Sequence, residues 1–318
     1  MTETTKKYAN EAYEIICHAA NVIGSRLPGS KGEKEYAKYM GDKLREIGIT
    51  PKTEEFGVAP RSGIGGLPYA GWFGFVISIL AYIALGIGSV WFGMAIASVI
   101  ALTWLIFSCF LYKTWFDIFF KHKISQNVYG ELVPEDGQYD YTIILSGHTD
   151  TSWTWKHSEK TYDNRNKPIF GLIEVYAKVG FGAVCVFLMM AISIAMSIII
   201  LGVNANAPWA IALVQTPSFA FFNKALYVIP AITALGSLFV ANWNDPREEF
   251  ASRGAMDNAS GCALAYEVLK YYKENPDKMP ERCRIIDFNC GSEEAGLRGS
   301  MAFAEEHKSD GMLENCWN

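Results

Sequence analysis

The sequence predicts an α/β protein in which a mostly parallel sheet with flanking helices is joined to about four transmembrane helices. Three observations support this prediction. The chain of 318 residues contains long segments without any charged residue. Outside those segments, strand-type and helix-type patterns alternate, which is typical of a sheet covered by helices. Short polar motifs directly follow the predicted strands, where α/β sheets place their functional residues.

The charge-free segments are long enough to form membrane-spanning helices. No Asp, Glu, Lys or Arg occurs from Ser62 to Tyr112, and Val179–Asn223 is a second such run. Because a bilayer core takes about 20 apolar residues per helix, we predict two crossings in each of two hairpins. The segment Trp209–Phe222 is short and is predicted to be interfacial or a loop. The four predicted crossings are Tyr69–Gly88, Ser89–Tyr112, Gly180–Val203 and Lys224–Trp243.

The remaining segments carry the patterns of the α/β domain. Three helices are predicted. The first is Tyr8–Ile23, the second follows the capping box that begins at Ser30, and the third is Asp257–Tyr272. The predicted strands are Asn127–Val133, Tyr141–Ser146 and Arg284–Asn289. This places the α/β domain in residues 1–68, 113–178 and 242–318, with transmembrane hairpins at 69–112 and 179–241.

The distribution of charges and cysteines favours a membrane protein whose α/β domain lies in a reducing compartment. The net charge is −5 and the basic residues are scattered, which gives no surface for nucleic acid. The seven cysteines form no CxxC pair and are predicted to be reduced thiols. The N-terminal residues lack the apolar core of a signal peptide. Lys113, Lys121 and Lys123 follow a crossing, so the positive-inside rule predicts a multi-pass protein with its α/β domain in the cytoplasm.

Three motifs carry residues suited to metal chemistry. His148 and Asp150 follow a strand and would supply a metal ligand and a group that orients it. Asp257 precedes a helix, where backbone N–H groups hold one side of a carboxylate and leave oxygens free to bridge cations. Glu293 and Glu294 follow another strand, so one could bind metal while the other deprotonates a metal-bound water. Each motif alone is also compatible with a surface loop, a simple N-cap or a solvated acidic loop.

Taken together in this order, the motifs resemble those of the M28 metallopeptidases, the dizinc aminopeptidases. The matching segments are Ser146–Asp150, Gly254–Gly261, Gly291–Ser300 and, ahead of a helix, Arg26–Ser30.

The resemblance implies a site with two zinc ions. His148 would bind one ion, Glu294 the other, and Asp257 would bridge both. Asp150 would orient His148, and Glu293 would be the general base that acts on a metal-bound water.

Two departures from the family pattern bear on this prediction. The motifs of His148 and Asp257 usually lie close together, whereas here 109 positions separate them. Because all ligands must lie on one side of the membrane, each insertion must cross it an even number of times. The family pattern also continues with an Asp and a His that the chain does not supply in order, so we expect a fragment of a longer protein or, alternatively, an inactive relative. The nearby candidates are His307, Asp310 and His157, and His307 is predicted to be a surface residue.

The sequence therefore predicts a membrane-embedded zinc peptidase, and among peptidases an aminopeptidase. Its expected partners are peptide or protein substrates and the lipid bilayer. Two alternatives stay open, a glutaminyl cyclase-like acyltransferase and a catalytically inactive membrane scaffold.

Overall fold

A computed structural model describes residues 3–154, 156, 168–244 and 251–318. The chain divides into two units. The first unit comprises residues 1–65, 114–154 and 246–318, and the second comprises residues 66–113 and 155–245.

The described residues form ten α-helices and five strands. The helices are α1 (Glu3–His18), α2 (Lys31–Glu46), α3 (Leu67–Gly86), α4 (Val90–Trp104), α5 (Pro168–Asn204), α6 (Pro208–Val214), α7 (Pro217–Ala225), α8 (Ile229–Ala241), α9 (Ser260–Glu274) and α10 (Arg298–Glu306). The strands are β1 (Lys52–Val58), β2 (Lys123–Leu132), β3 (Tyr141–His148), β4 (Cys283–Cys290) and β5 (Cys316–Trp317).

The strands of the first unit form one sheet in the order β1-β2-β4-β3-β5. The prediction of a mostly parallel sheet is wrong, because β2 is antiparallel to both β1 and β4. Among the described strands, the parallel pairs are β3 with β4 and β3 with β5. The physical reason lies between Leu132 and Tyr141, where the short connection contains no helix. A parallel connection needs a crossover of a dozen or more residues, so β3 runs opposite to β2.

Helices cover both faces of this mixed sheet. On one face, α1, α2 and α9 bury a core that includes Ile15, Leu44 and Leu269. On the other face, Phe303 of α10 packs against Phe288 of β4, with ring centroids 4.4 Å apart. Each fully buried side chain of this size contributes about 1.5–3 kcal/mol by leaving water. The burial on both faces fixes the strand ends that carry the predicted motifs.

The second unit consists of apolar helices that approach one another through small residues. A Cβ added at Gly71 of α3 would lie 2.0 Å from the backbone nitrogen of Ala241, so glycine is required at this contact. The hydroxyl groups of Ser98 and Ser193 lie 2.9 Å apart between α4 and α5. Small residues and hydroxyl pairs at helix contacts are typical of helices that pack in lipid.

Three helical segments are long and apolar enough to cross a membrane, namely Ile64–Gly86, Val90–Phe110 and Tyr176–Asn204. They overlap the first three predicted crossings. The fourth, predicted as one continuous helix at Lys224–Trp243, is broken. Helices α7 and α8 are bent by 51° relative to each other, and the pair qualifies as a span only when it is counted together. The segment Trp209–Phe222, predicted to be interfacial or a loop, contains most of α6 and most of α7.

Candidate functional site

The parallel pairing of β3 and β4 brings two of the predicted motifs to one edge of the sheet. His148 is the last residue of β3 and pairs with Cys290, the last residue of β4. Glu293 and Glu294 follow in the loop after β4. Asp257 approaches from a third segment, just before α9 begins at Ser260. The carboxyl ends of the two parallel strands thus place these side chains together.

His148 is the centre of the observed contacts. Its Nε2 lies 3.0 Å from Oδ1 of Asp257 and 3.8 Å from Oε2 of Glu293. Its Nδ1 lies 3.3 Å from Oδ1 of Asp150. The structure therefore brings His148, Asp150, Asp257 and Glu293 together, although Asp257 comes from 109 positions away in the chain.

Asp150 is a fully buried carboxylate that holds the loop of the two glutamates. Its two oxygens accept hydrogen bonds from the backbone N–H groups of Glu293 and Glu294, each at 2.9 Å. The sequence predicts only that Asp150 orients His148. The side chain is thus shared between the His148 ring and the backbone of the Glu293–Glu294 loop.

Asp257 is held differently from the prediction. Its side chain is 74% exposed, and the helix cap is made by Asn258, whose Oδ1 accepts the N–H of Gly261 at 2.9 Å. The peptide bond between Asp257 and Asn258 is cis. Because Asn258 accepts the N–H of the first helical turn, the Asp257 carboxylate makes its contact with His148.

The site carries an excess of negative charge, and the pKa values reflect it. Burial alone would lower the pKa of His148, but its hydrogen bond with Asp150 and the surrounding carboxylates raise it to about 9. Burial and the charge of Asp150 raise the pKa of Glu294 to about 7. Burial also raises the pKa of Glu293, an effect that the nearby His148 opposes. A cation at this site would reduce the repulsion among the carboxylates.

The residues fit zinc in donor type and in one donor pair. Zinc takes imidazole nitrogen and carboxylate oxygen, and two ligands with bonds of about 2.0–2.1 Å lie about 3.3 Å apart in a tetrahedral site. The 3.0 Å between His148 and Asp257 is close to that spacing. Within the part of the chain that the structure describes, however, no group of three or more His, Cys, Asp or Glu side chains converges closely enough to hold a metal ion. The Glu294 carboxylate is thus not placed in a completed ligand group.

The candidates for further ligands lie elsewhere or outside the described residues. His157 lies outside the described residues. The prediction that His307 is a surface residue is wrong, because its side chain is buried between two carboxylates. Its Nε2 lies 2.8 Å from Oε1 of Glu54, and its Nδ1 pairs with Asp310. Both ring nitrogens are engaged in this cluster, since β1 and the end of α10 meet there.

Two charged residues at the site were not predicted to act there. The buried guanidinium of Arg26 donates to five backbone carbonyl groups, those of Ala19, Gly24, Thr149, Arg253 and Gly254. Buried Glu33 accepts from Ser292, next to Glu293. The sequence signal for both was the Arg26–Ser30 segment and the capping box, which pointed to a helix start.

One family model matches part of the chain. A metallopeptidase is indicated, because residues 237–315 match the model of peptidase family M28. The matched segment contains Asp257, Glu293 and Glu294, and it confirms the resemblance to M28 that the motifs suggested. No match was found among curated proteins.

Among solved structures, the chain is similar to BSAP, a zinc aminopeptidase from Bacillus subtilis. That similarity has 13% identity and a TM-score of 0.42, and it covers 97% of this chain and 67% of the other. An aminopeptidase from Aneurinibacillus sp. strain AM-1 gives 12% identity and a TM-score of 0.42, with 95% and 67% of the two chains covered.

Proposed function

We propose that the protein is a membrane-embedded, zinc-dependent peptidase that acts as an aminopeptidase. The observation that carries the proposal is the M28 match over residues 237–315 together with the approach of His148, Asp257 and Glu293. The donor types in this group suit zinc. The substrate is a peptide or protein with a free N-terminus.

The proposed roles follow the positions of the side chains. His148 and Asp257 would hold one zinc ion, and Glu294 would supply a ligand to a second ion that Asp257 shares. Bound zinc would polarise the scissile carbonyl and lower the pKa of water. Asp150 orients His148 through Nδ1 and holds the backbone of the glutamate loop.

Glu293 is proposed as the general base. Its carboxylate is half-buried and lies 3.8 Å from the His148 ring, so it reaches the same small volume as the two ligands. A pKa raised by burial suits a group that takes a proton from water and passes it to the leaving amine near neutral pH.

The two insertions are proposed to embed the protein in a bilayer, with the first unit in the cytoplasm. The proposal is supported by the three long apolar segments and by the bent pair. Since His148 and Asp257 meet across the second insertion, that insertion must cross an even number of times. Counting the bent pair as one crossing satisfies this requirement. We expect that only detergent extracts the protein from the membrane fraction. Release of folded protein by alkaline carbonate alone would contradict membrane embedding.

The test of function uses the full chain and the Glu293→Gln variant. We expect hydrolysis of aminoacyl p-nitroanilides, zinc in the purified protein, and a kcat lower by about 10²–10⁴-fold in Glu293→Gln. Zinc content should not change. Glu306→Gln is the matched control, because Glu306 is exposed on α10 and loses the same charge. Full activity in zinc-loaded Glu293→Gln would contradict the base role.

Substrate analysis separates the alternatives. Peptides that begin with Gln should release free Gln from an aminopeptidase, whereas a glutaminyl cyclase-like enzyme would release ammonia and leave a pyroglutamyl peptide. A folded full chain that binds no zinc and processes neither substrate would instead favour the inactive scaffold.

A further inference from the structure

Glu33 has a local role at the start of α2. Its backbone N–H donates to Oγ of Ser30 at 3.2 Å, and its Oε2 accepts the N–H of Gly29 at 2.7 Å. These contacts resemble a capping box, except that Glu33 accepts the N–H of Gly29, the residue before the cap, while the N–H of Ser30 donates to the carbonyl oxygen of Leu27. One carboxylate oxygen would suffice for this role.

The other oxygen of Glu33 reaches the glutamate loop, 259 positions away in the chain. Oε1 accepts the backbone N–H of Ser292 at 2.7 Å and its hydroxyl at 2.9 Å. Ser292 has a φ of 53°, a left-handed conformation that is uncommon for residues other than glycine. The bonds to Glu33 hold Ser292 in this conformation, immediately before Glu293.

Two buried carboxylates therefore bind three consecutive backbone N–H groups. Glu33 takes that of Ser292, and Asp150 takes those of Glu293 and Glu294. Each of these N–H groups therefore has a buried carboxyl oxygen as its acceptor. The backbone of the loop is thus fixed from two sides.

We propose that Glu33 is a positioning residue that fixes the loop so that the Glu293 carboxylate faces His148. This inference rests on the proposed function of the site. A glutamine at position 33 keeps the volume of Glu33 but offers one acceptor oxygen and an NH₂ group. Because the side chain meets N–H donors on both oxygens, Glu33→Gln must lose the contact with either Gly29 or Ser292.

The experiment compares three variants of the full chain with the wild type. Glu33→Gln tests the proposal, and Ser30→Ala removes the other half of the helix cap while leaving the Glu33 carboxylate in place. Glu35→Gln is the charge control, since Glu35 is exposed on the same helix. The measurements are hydrogen exchange at the amides of residues 292–294, kcat and KM, and zinc affinity.

In Glu33→Gln we expect exchange at these amides to be about tenfold faster or more, because the loop opens more often. We expect kcat or zinc affinity to fall about 10–100-fold, as is usual for residues that support metal ligands, with KM within about twofold of wild type. Ser30→Ala should lower the thermal midpoint but leave exchange at 292–294 and kcat unchanged. Glu35→Gln should match the wild type.

The proposal is overturned if the amides of residues 292–294 exchange at the same rate in Glu33→Gln and Ser30→Ala, or if kcat falls by the same factor in both variants. If the wild type has neither zinc nor activity, the proposed function fails, and the exchange rates alone decide whether Glu33 positions the loop. If Glu33→Gln does not fold, Ser292→Ala removes one contact with Glu33 and should raise the same exchange rates by a smaller factor. Wild-type rates in Ser292→Ala would then overturn the proposal.

Discussion

Replacing Asp150 with asparagine should change the stability of the protein moderately and its activity strongly. The carboxylate is fully buried, accepts two backbone N–H groups at 2.9 Å and lies beside the His148 ring. Asparagine has the same shape but only one acceptor oxygen. Its NH₂ group must face one of the two N–H groups, so one buried donor loses its acceptor.

Three effects decide the change in stability. A buried donor without an acceptor costs about 1–3 kcal/mol. Removing the charge of Asp150 relieves its repulsion with Glu293 and Glu294, whose pKa values it raises, but also removes its attraction for His148, whose pKa of about 9 keeps the ring charged at neutral pH. At an effective dielectric constant near 20, charges about 3–6 Å apart interact by roughly 3–6 kcal/mol, so the lost repulsion and the lost attraction are of similar size. The unpaired donor therefore dominates, and we expect the free energy of unfolding of metal-free Asp150→Asn to fall by about 1–3 kcal/mol.

Activity should fall strongly as well. Loss of one loop contact and of the negative charge beside the His148 ring should lower kcat or zinc affinity about 10–100-fold. The acidic limb of the pH–kcat profile should move to lower pH, because the charge of Asp150 raises the pKa of Glu293. The assay is p-nitroanilide hydrolysis from pH 5 to about pH 9, with exposed Asp136→Asn as the control. An unchanged kcat with an unchanged acidic limb, or a loss of more than about 4 kcal/mol in stability, would refute this reasoning.

Three further predictions concern the stability of each unit. Arg26→Gln should lower the thermal midpoint by about 4–16 °C, since it leaves buried carbonyl groups without donors at a cost of about 2–4 kcal/mol; a midpoint within about 2 °C of wild type would contradict this. Burial lowers the pKa of His307, but its bond with Asp310 and a second carboxylate raise it overall above 6.5. The stabilisation by charged His307 is complete below about pH 6.5 and is lost as the pH rises through the folded-state pKa. The thermal midpoint of His307→Gln should therefore fall less with rising pH than that of the wild type. An identical dependence of the midpoint on pH in the two proteins would contradict this prediction. Gly71→Ala should destabilise the detergent-solubilised protein, because its Cβ would overlap backbone, whereas Gly93→Ala meets nothing within 4 Å and should be tolerated; equal midpoints would contradict the packing of α3 against α8.

Much of the first unit follows from local patterns in the sequence. The predicted helix at Tyr8–Ile23 lies within α1 and the π-helical turn Ala19–Ile23, and Gly24 follows it with a φ of 80°. The predicted strand Arg284–Asn289 lies inside β4. These elements are buried on a regular face, so their apolar spacing is visible.

Other elements lack such a pattern. Strand β1 has the sequence KTEEFGV and is mostly polar, because it is an edge strand that pairs only with β2. Strand β5 has two residues. The direction of pairing was also missed, since it depends on which connections contain a crossover and not on the strands themselves.

The candidate site likewise contains residues that the sequence predicts and residues that it does not. His148, Asp257 and Glu293 follow from motifs, because strand ends and a helix start place them. Arg26 and Glu33 look like parts of a helix start in the sequence, and the groups they bind are backbone N–H and C=O groups. Backbone groups occur at every position, so no residue pattern marks the partners of Arg26 or Glu33.

The contacts of two buried arginines explain how the first unit accommodates its insertions. Arg26 donates to Thr149, just before the second insertion, and to Arg253 and Gly254, just after it. Arg298, four residues beyond Glu294, lies 3.1 Å from Asp117 and 3.3 Å from Ser62, which flank the first insertion.

Each arginine thus joins the two chain ends of one insertion within the first unit. The entropy of closing a loop grows slowly with its length, and a tenfold longer loop costs only about 2 kcal/mol more. A few buried hydrogen bonds of about 1 kcal/mol each offset that cost. The separation of His148 from Asp257 by 109 positions is therefore energetically modest, and the site depends on the arginine contacts more than on the length of the intervening chain.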